Sequence, residues 1–214
     1  GTFRAPEPMV IAISHAIADE LQRFHDVDPS RIRVVHNGVD TAGFAPPTSK
    51  AAARRALPAV SHPADTDTVL LFVGHYFQRK GLHTLIAALG GLRDRSWHLQ
   101  VAGGDDATPF RAMAADAGIT DRMDFLGHQP RVAAYMQVAD AFVFPTSYEP
   151  FGLVITEALA CGTPTITSAG AGGAAAGQIG VRLPAVRALG TREADVVLHA
   201  MSSWGGAPTP SRAA

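Results

Sequence analysis

Between Thr68 and Thr167, brief apolar runs alternate with stretches in which apolar residues recur every three or four positions. The runs at 69–73, 99–102, 123–126, 141–144 and 165–167 are short and rich in β-branched or aromatic residues, as buried strands are. Leu82, Leu85, Ile86 and Leu89 share one face of a helix over 82–89. Similar periods predict helices over 110–117, 132–138 and 153–161. Strand and helix in strict turn predict an α/β domain built on a doubly wound parallel sheet. The same pattern occurs once upstream. A strand at 9–13 leads to Ser14, a good N-cap, and then to Ile17, Leu21 and Phe24 at helical spacing. A second strand at 31–36 ends at the Asn37-Gly38 turn signal. Residues 46–66 are rich in Pro, Ala, Ser and Thr and read as a linker with one helix near 50–57. After Ser168 come a Gly/Ala tract at 169–180, a short strand at 181–183, a helix at 193–204 and a tail at 205–214 with the composition of a disordered segment.

Composition narrows the function classes. The 214 residues carry a formal net charge of −1, so no global charge points to nucleic acid or to an anionic surface. No apolar run approaches the roughly 20 residues of a membrane-spanning helix. The single cysteine, Cys161, excludes an internal disulfide and suits a reducing compartment, from which a cytoplasmic location is expected. The nine histidines form no supported metal-binding spacing, and there is no nucleophile elbow of the G-x-S-x-G type.

The chemistry concentrates after the strand at 141–144. Pro145 ends the strand, Pro150 and Gly152 mark a turn, and Gly162 and Pro164 stop the helix that follows. In an open α/β sheet such a loop lies beyond the carboxyl end of its strand, where ligands bind. The amides of Gly152 to Ile155 open the helix and make an anion site; the helix dipole alone contributes roughly 0.3–2 kcal/mol per charge. Glu149 and Glu157 flank that site. Acids placed there suit neutral hydroxyls, such as those of a sugar, better than they suit a phosphate. A second strand end, Phe72-Val73-Gly74-His75, runs into Gln78-Arg79-Lys80-Gly81. Gly74 permits close backbone approach, and Lys80 can reach a phosphate through a charge-assisted bond of roughly 1.5–3 kcal/mol. The spacing is not that of a Walker A loop. Without their context these charges read as ordinary surface groups. Gly170-Ala-Gly172-Gly-Ala-Ala175 formally fits G-x-G-x-x-A, but a dinucleotide fold needs a further helix, strand and acid that the remaining sequence has little room for.

Glu149-Pro-Phe-Gly-Leu153 followed by Glu157-Ala-Leu-Ala-Cys-Gly-Thr-Pro164 resembles the E-x7-E motif of the retaining glycosyltransferases of family 4, enzymes with the GT-B fold of two Rossmann-like halves. The resemblance extends over most of the chain to about Thr167. It implies the donor-binding half of an enzyme that transfers a sugar from a nucleoside-diphosphate sugar, without bound metal or other cofactor. Lys80 and Glu149 would be the catalytic pair, on the leaving diphosphate and the donor sugar. Glu157 would take the ribose hydroxyls, and the backbone of Phe151, Gly152, Leu153 and Val154 the distal phosphate. Gly74, Gly103, Gly104 and Gly127 would line the nucleotide. His75 stands where the family carries Arg, and a neutral imidazole offers one donor against five; Arg79 would then take over that work. Ala176 stands in place of a family Glu.

The resemblance also implies a division into 1–36 as the remnant of an acceptor-binding domain, 37–67 as hinge and linker, 68–204 as the nucleotide-sugar-binding domain and 205–214 as tail. The acceptor domain would be supplied in cis or as a separate chain. Any membrane association would come through that absent half, and no nucleic acid partner is expected. On this basis the polypeptide transfers little sugar by itself. The alternative is a non-catalytic nucleotide-sugar-binding module.

Overall fold

In the computed structural model, which describes residues 8–57, 67–168, 171–172 and 181–183, the apolar runs pair into a six-stranded parallel sheet. Its strands are β3 (Thr68–Val73), β4 (Trp97–Ala102), β5 (Met123–Gly127), β6 (Ala141–Phe144), β7 (Thr165–Ser168) and β8 (Val181–Leu183). The helices between them are α3 (Leu82–Gly90), α4 (Thr108–Asp116), α5 (Val132–Val138) and α6 (Leu153–Ala160). The strand order is β5-β4-β3-β6-β7-β8. The chain therefore winds outward from β3 in one direction, then returns to pair β6 on the other side of β3. That is the doubly wound Rossmann order, with its switch point between β3 and β6.

Helices on both faces explain the nearly continuous apolar strands. Leu70, Phe72, Leu99, Phe142, Phe144, Leu85 and Leu89 are all buried in one core. Phe72 packs against Phe144 with ring centroids 5.9 Å apart, joining β3 to β6 directly beneath the switch point. Each such side chain contributes roughly 1.5–3 kcal/mol on burial.

Upstream, β1 (Val10–Ala12) and β2 (Ile32–Val34) form a separate two-stranded parallel sheet joined by α1 (His15–His25). Ser14 caps α1 by accepting from the Ile17 amide at 3.2 Å. The stretch expected to be a linker contains α2 (Lys50–Ala56), which is docked. Lys50 Nζ donates to the Ala139 carbonyl at 2.7 Å and to Asp140 Oδ1 at 2.6 Å. Arg54 donates to the Val138 carbonyl and to Asp140 Oδ2, which also accepts from the Val69 amide. Asp140 thus ties α2 to the start of β6.

Several boundaries shift. β4 begins two residues before the apolar run at 99–102, because Trp97 and His98 pair with Thr68 and Val69. The polar His98 masks the strand pattern; it is paired with Asp124 on β5. α4 begins at Thr108, since Pro109 in the first turn needs no amide partner. The expected helix at 193–204, the tail at 205–214, most of the tract at 169–180 with Gly173 and Ala176, and the first seven residues lie outside the described residues.

Candidate functional site

The site is built from the two loops that leave β3 and β6. After Gly74 the chain turns sharply, with Tyr76 in the left-handed region (φ 57°). Gly81 is also left-handed (φ 83°), and a Cβ there would stand 2.0 Å from the Pro145 carbonyl oxygen. Only glycine lets the two loops approach so closely. That contact sets Lys80 over the Phe144 ring, 5.4 Å from its centroid, and in an ion pair with Glu149. The two side chains are only 12% and 14% exposed.

The β6 loop is fixed from several sides. Thr146 Oγ1 donates to the Tyr148 carbonyl at 3.0 Å, and the Ser147 amide donates to the Arg79 carbonyl at 3.2 Å. Ser168 Oγ donates to the Thr146 carbonyl at 2.5 Å. Gly152 caps α6 in the left-handed region (φ 85°) without any side-chain cap. A Cβ on Gly152 would press on Glu149 Cγ and Ile155 Cδ1 at 3.0 and 2.9 Å. The Ile155 amide already donates to the Gly152 carbonyl at 2.9 Å, so it drops out of the expected anion site. The helix start at Gly152–Val154 carries that property.

Glu157 lies one turn into α6, half-buried, and burial raises its carboxyl above the usual value. Its charge and burial together push the Cys161 thiol up to about 11, burial contributing most. Such a thiol is a packed apolar group and a poor nucleophile. Phe151 is 2% exposed and lies against the His36 ring, so only its backbone is placed to meet a ligand.

At the ends of β3, β4 and β5 the glycines meet. A Cβ on Gly103 would fall 2.0 Å from the Gly74 carbonyl oxygen, and the Gly103 amide donates to the Gly127 carbonyl at 2.9 Å. Gly104 lies beside the His75 and His128 side chains, whose rings stack at 6.2 Å. His75 is exposed on this side, and Arg79 is exposed with its guanidinium 5.4 Å from the Tyr76 ring centroid. The structure therefore brings Lys80, Glu149 and the start of α6 together, with Glu157 one turn into that helix. The Gly74, Gly103, Gly104 and Gly127 backbone forms an adjoining floor edged by His75.

Sequence reasoning missed three residues here. Asp105 accepts from the Phe77 amide at 2.8 Å and fixes the β3 turn; its place after two glycines was the available signal. Gly81 appears in sequence as an ordinary glycine. Ser14, read as a helix cap, also donates to the Pro150 carbonyl at 2.6 Å.

Residues 53–176 match the family model described as glycosyl transferases group 1, and residues 8–42 match the one described as glycosyltransferase family 4. The chain belongs to the group 1 glycosyl transferases. The Mycobacteroides abscessus D-inositol 3-phosphate glycosyltransferase is 39% identical over 163 residues, covering 71% of this chain and 34% of that protein. Sucrose-phosphate synthase from Thermosynechococcus elongatus superposes with a TM-score of 0.74 at 30% identity, over 91% of this chain and 48% of that one. Anabaena Alr3699/HepE, solved in complex with UDP and glucose, superposes with a TM-score of 0.74 at 22% identity, over 91% of this chain and 52% of that one, a likeness of fold. This group 1 glycosyl transferase chain thus spans about a third of the curated relative and about half of each solved structure. Among its described residues, no helix is long and apolar enough to cross a membrane. Among the same residues, no three His, Cys, Asp or Glu side chains are grouped to hold a metal ion.

Proposed function

We propose that this chain binds the donor of a retaining glycosyltransferase, a nucleoside-diphosphate sugar whose sugar passes to an acceptor. The observation that carries this reading is the meeting of Lys80 and Glu149, from the loops after β3 and β6, beside the uncapped start of α6. A diphosphate entering there competes with Glu149 for the Lys80 ammonium and receives the amides at Gly152–Val154. Charge that builds on the leaving diphosphate as the glycosidic bond breaks is stabilised by this fixed positive end. Glu149, released from Lys80, accepts from donor-sugar hydroxyls, and Glu157 accepts from the ribose hydroxyls. The Gly74, Gly103, Gly104 and Gly127 backbone lets the nucleotide lie close to the strand ends.

Retention follows the E-x7-E pattern from Glu149 to Glu157. Transfer further requires an acceptor hydroxyl held about 3–3.5 Å from the anomeric carbon, by an acceptor domain in cis or in a separate chain. The free, buried Cys161 suits a reducing cytoplasm. A second reading, binding without transfer, is favoured by His75, whose ring stacks on His128 where the family's pattern places a guanidinium.

A thermal-shift panel of UDP-, GDP- and ADP-sugars tests binding; one base should raise the melting temperature, and no response from any of them contradicts the proposal. Transfer assays with the responding donor separate the two readings.

A further inference from the structure

Ser14 is fully buried and lies 136 residues from its hydrogen-bond acceptor, the Pro150 carbonyl. A hydroxyl has one proton to give, and this one is given to Pro150 while the oxygen accepts from the Ile17 amide. The preceding carbonyl, that of Glu149, accepts from the Gly172 amide at 2.9 Å, within a parallel bridge between Glu149 and Ala171. A Cβ on Gly172 would stand 2.1 Å from the Pro150 oxygen and 2.8 Å from Ser14 Oγ, so three chain segments crowd at this one point. Two further contacts come from the same N-terminal unit: Tyr148 OH donates to Glu20 Oε2 at 3.0 Å, and the His36 ring lies 5.8 Å from that of Phe151. The outer side of the Tyr148–Phe151 stretch is therefore held by β1, α1 and β2 and their flanks, while its inner side carries Glu149 and leads into α6.

We infer that Ser14 is a positioning residue for the donor site. Its hydroxyl fixes the Glu149–Gly152 turn, and through it the placement of the Glu149 carboxylate and the α6 amides relative to Lys80. The donor part of this inference rests on the function proposed above. The plain competing role is that Ser14 only caps α1. Glycine separates the two, because it is nearly as good an N-cap as serine and has no hydroxyl to give to Pro150.

The test uses the full chain, as wild type, Ser14→Gly and Ser14→Thr. Without ligand, amide hydrogen exchange is read residue by residue. Ser14→Gly should speed exchange at Gly172 by about tenfold, in keeping with the loss of one hydrogen bond beside it, and leave the β3–β4 ladder unchanged. In calorimetry with UDP, GDP and ADP and their glucose conjugates, Ser14→Gly should weaken the responding nucleotide sugar about tenfold, and Ser14→Thr should retain most of the affinity. Unchanged exchange at Gly172, or acceleration spread equally over the core strands, overturns the inference. So does equal nucleotide-sugar affinity in wild type and Ser14→Gly. No heat from wild type with any nucleotide overturns the donor reading instead, and the exchange measurement still decides whether Ser14 holds the turn.

Discussion

Replacing Lys80 by alanine leaves Glu149 with its charge and little water to solvate it. Breaking a fully buried ion pair costs about 3–5 kcal/mol. The pair here is 12% and 14% exposed, so some solvent reaches the orphaned carboxylate. That places the expected loss at roughly 2–3 kcal/mol, just below the fully buried range. Glu149→Ala should cost less, because the Lys80 ammonium keeps its place near the Phe144 ring, an attraction of roughly 0.5–2 kcal/mol. The double variant Lys80→Met with Glu149→Gln removes both charges at similar volume. It should return to within about 1 kcal/mol of wild type, as uncharged replacements of buried pairs often do. Urea unfolding of wild type, the singles and the double measures all of this. If each single loses under about 0.5 kcal/mol and the losses add, the side chains are not coupled. The placement of Lys80 against Glu149 would then be wrong.

Two other outcomes follow from the same site. Burial raises the Glu157 carboxyl above its ordinary value of 4.5, so the ionised form costs the folded state stability at neutral pH. Glu157→Gln should therefore melt higher than wild type at pH 7, and the gain should fade as pH falls through the raised folded value towards 4.5 and the carboxyl is neutral in both states; a gain that is constant with pH contradicts this. At His75, a guanidinium would bring a permanent charge and a fork of five donors where the imidazole offers fewer. His75→Arg should therefore bind a nucleoside diphosphate more tightly than wild type in calorimetry. Equal affinities for the two proteins would remove His75 from the diphosphate.

Local pattern carried the elements well. The helix over 132–138 and the strands over 141–144 and 181–183 lie where periodicity and turn residues predict them, because each is a short repeat bounded by clear breakers. Boundaries moved where a polar residue sat inside a strand, as His98 does, or where a proline opened a helix, as Pro109 does. The docking of α2 was not legible, since Lys50, Arg54 and Asp140 look like solvated charges until α5 and β6 bring Asp140 beneath them. At the candidate site, the positions of Lys80 and Glu149 in the loops beyond two strand ends were legible. Their pairing was not, because it depends on Gly81 and Pro145 touching across two loops. The second bond of Ser14 was hidden for the same reason: a helix cap is local, and a carbonyl 136 residues away is not.

The most direct test of the donor-site account is calorimetry with a nucleoside diphosphate and its nucleotide sugar on wild type, Glu149→Ala and Glu157→Ala. Wild type should bind both ligands. Glu157→Ala should weaken both by about 1.5–3 kcal/mol, the range for hydrogen bonds to a charged acceptor. Glu149→Ala, which frees the Lys80 ammonium for the diphosphate, should bind the nucleoside diphosphate at least as tightly as wild type and lose the extra affinity that the sugar provides. Binding of neither ligand by wild type, or the same affinities in all three proteins, would contradict the account.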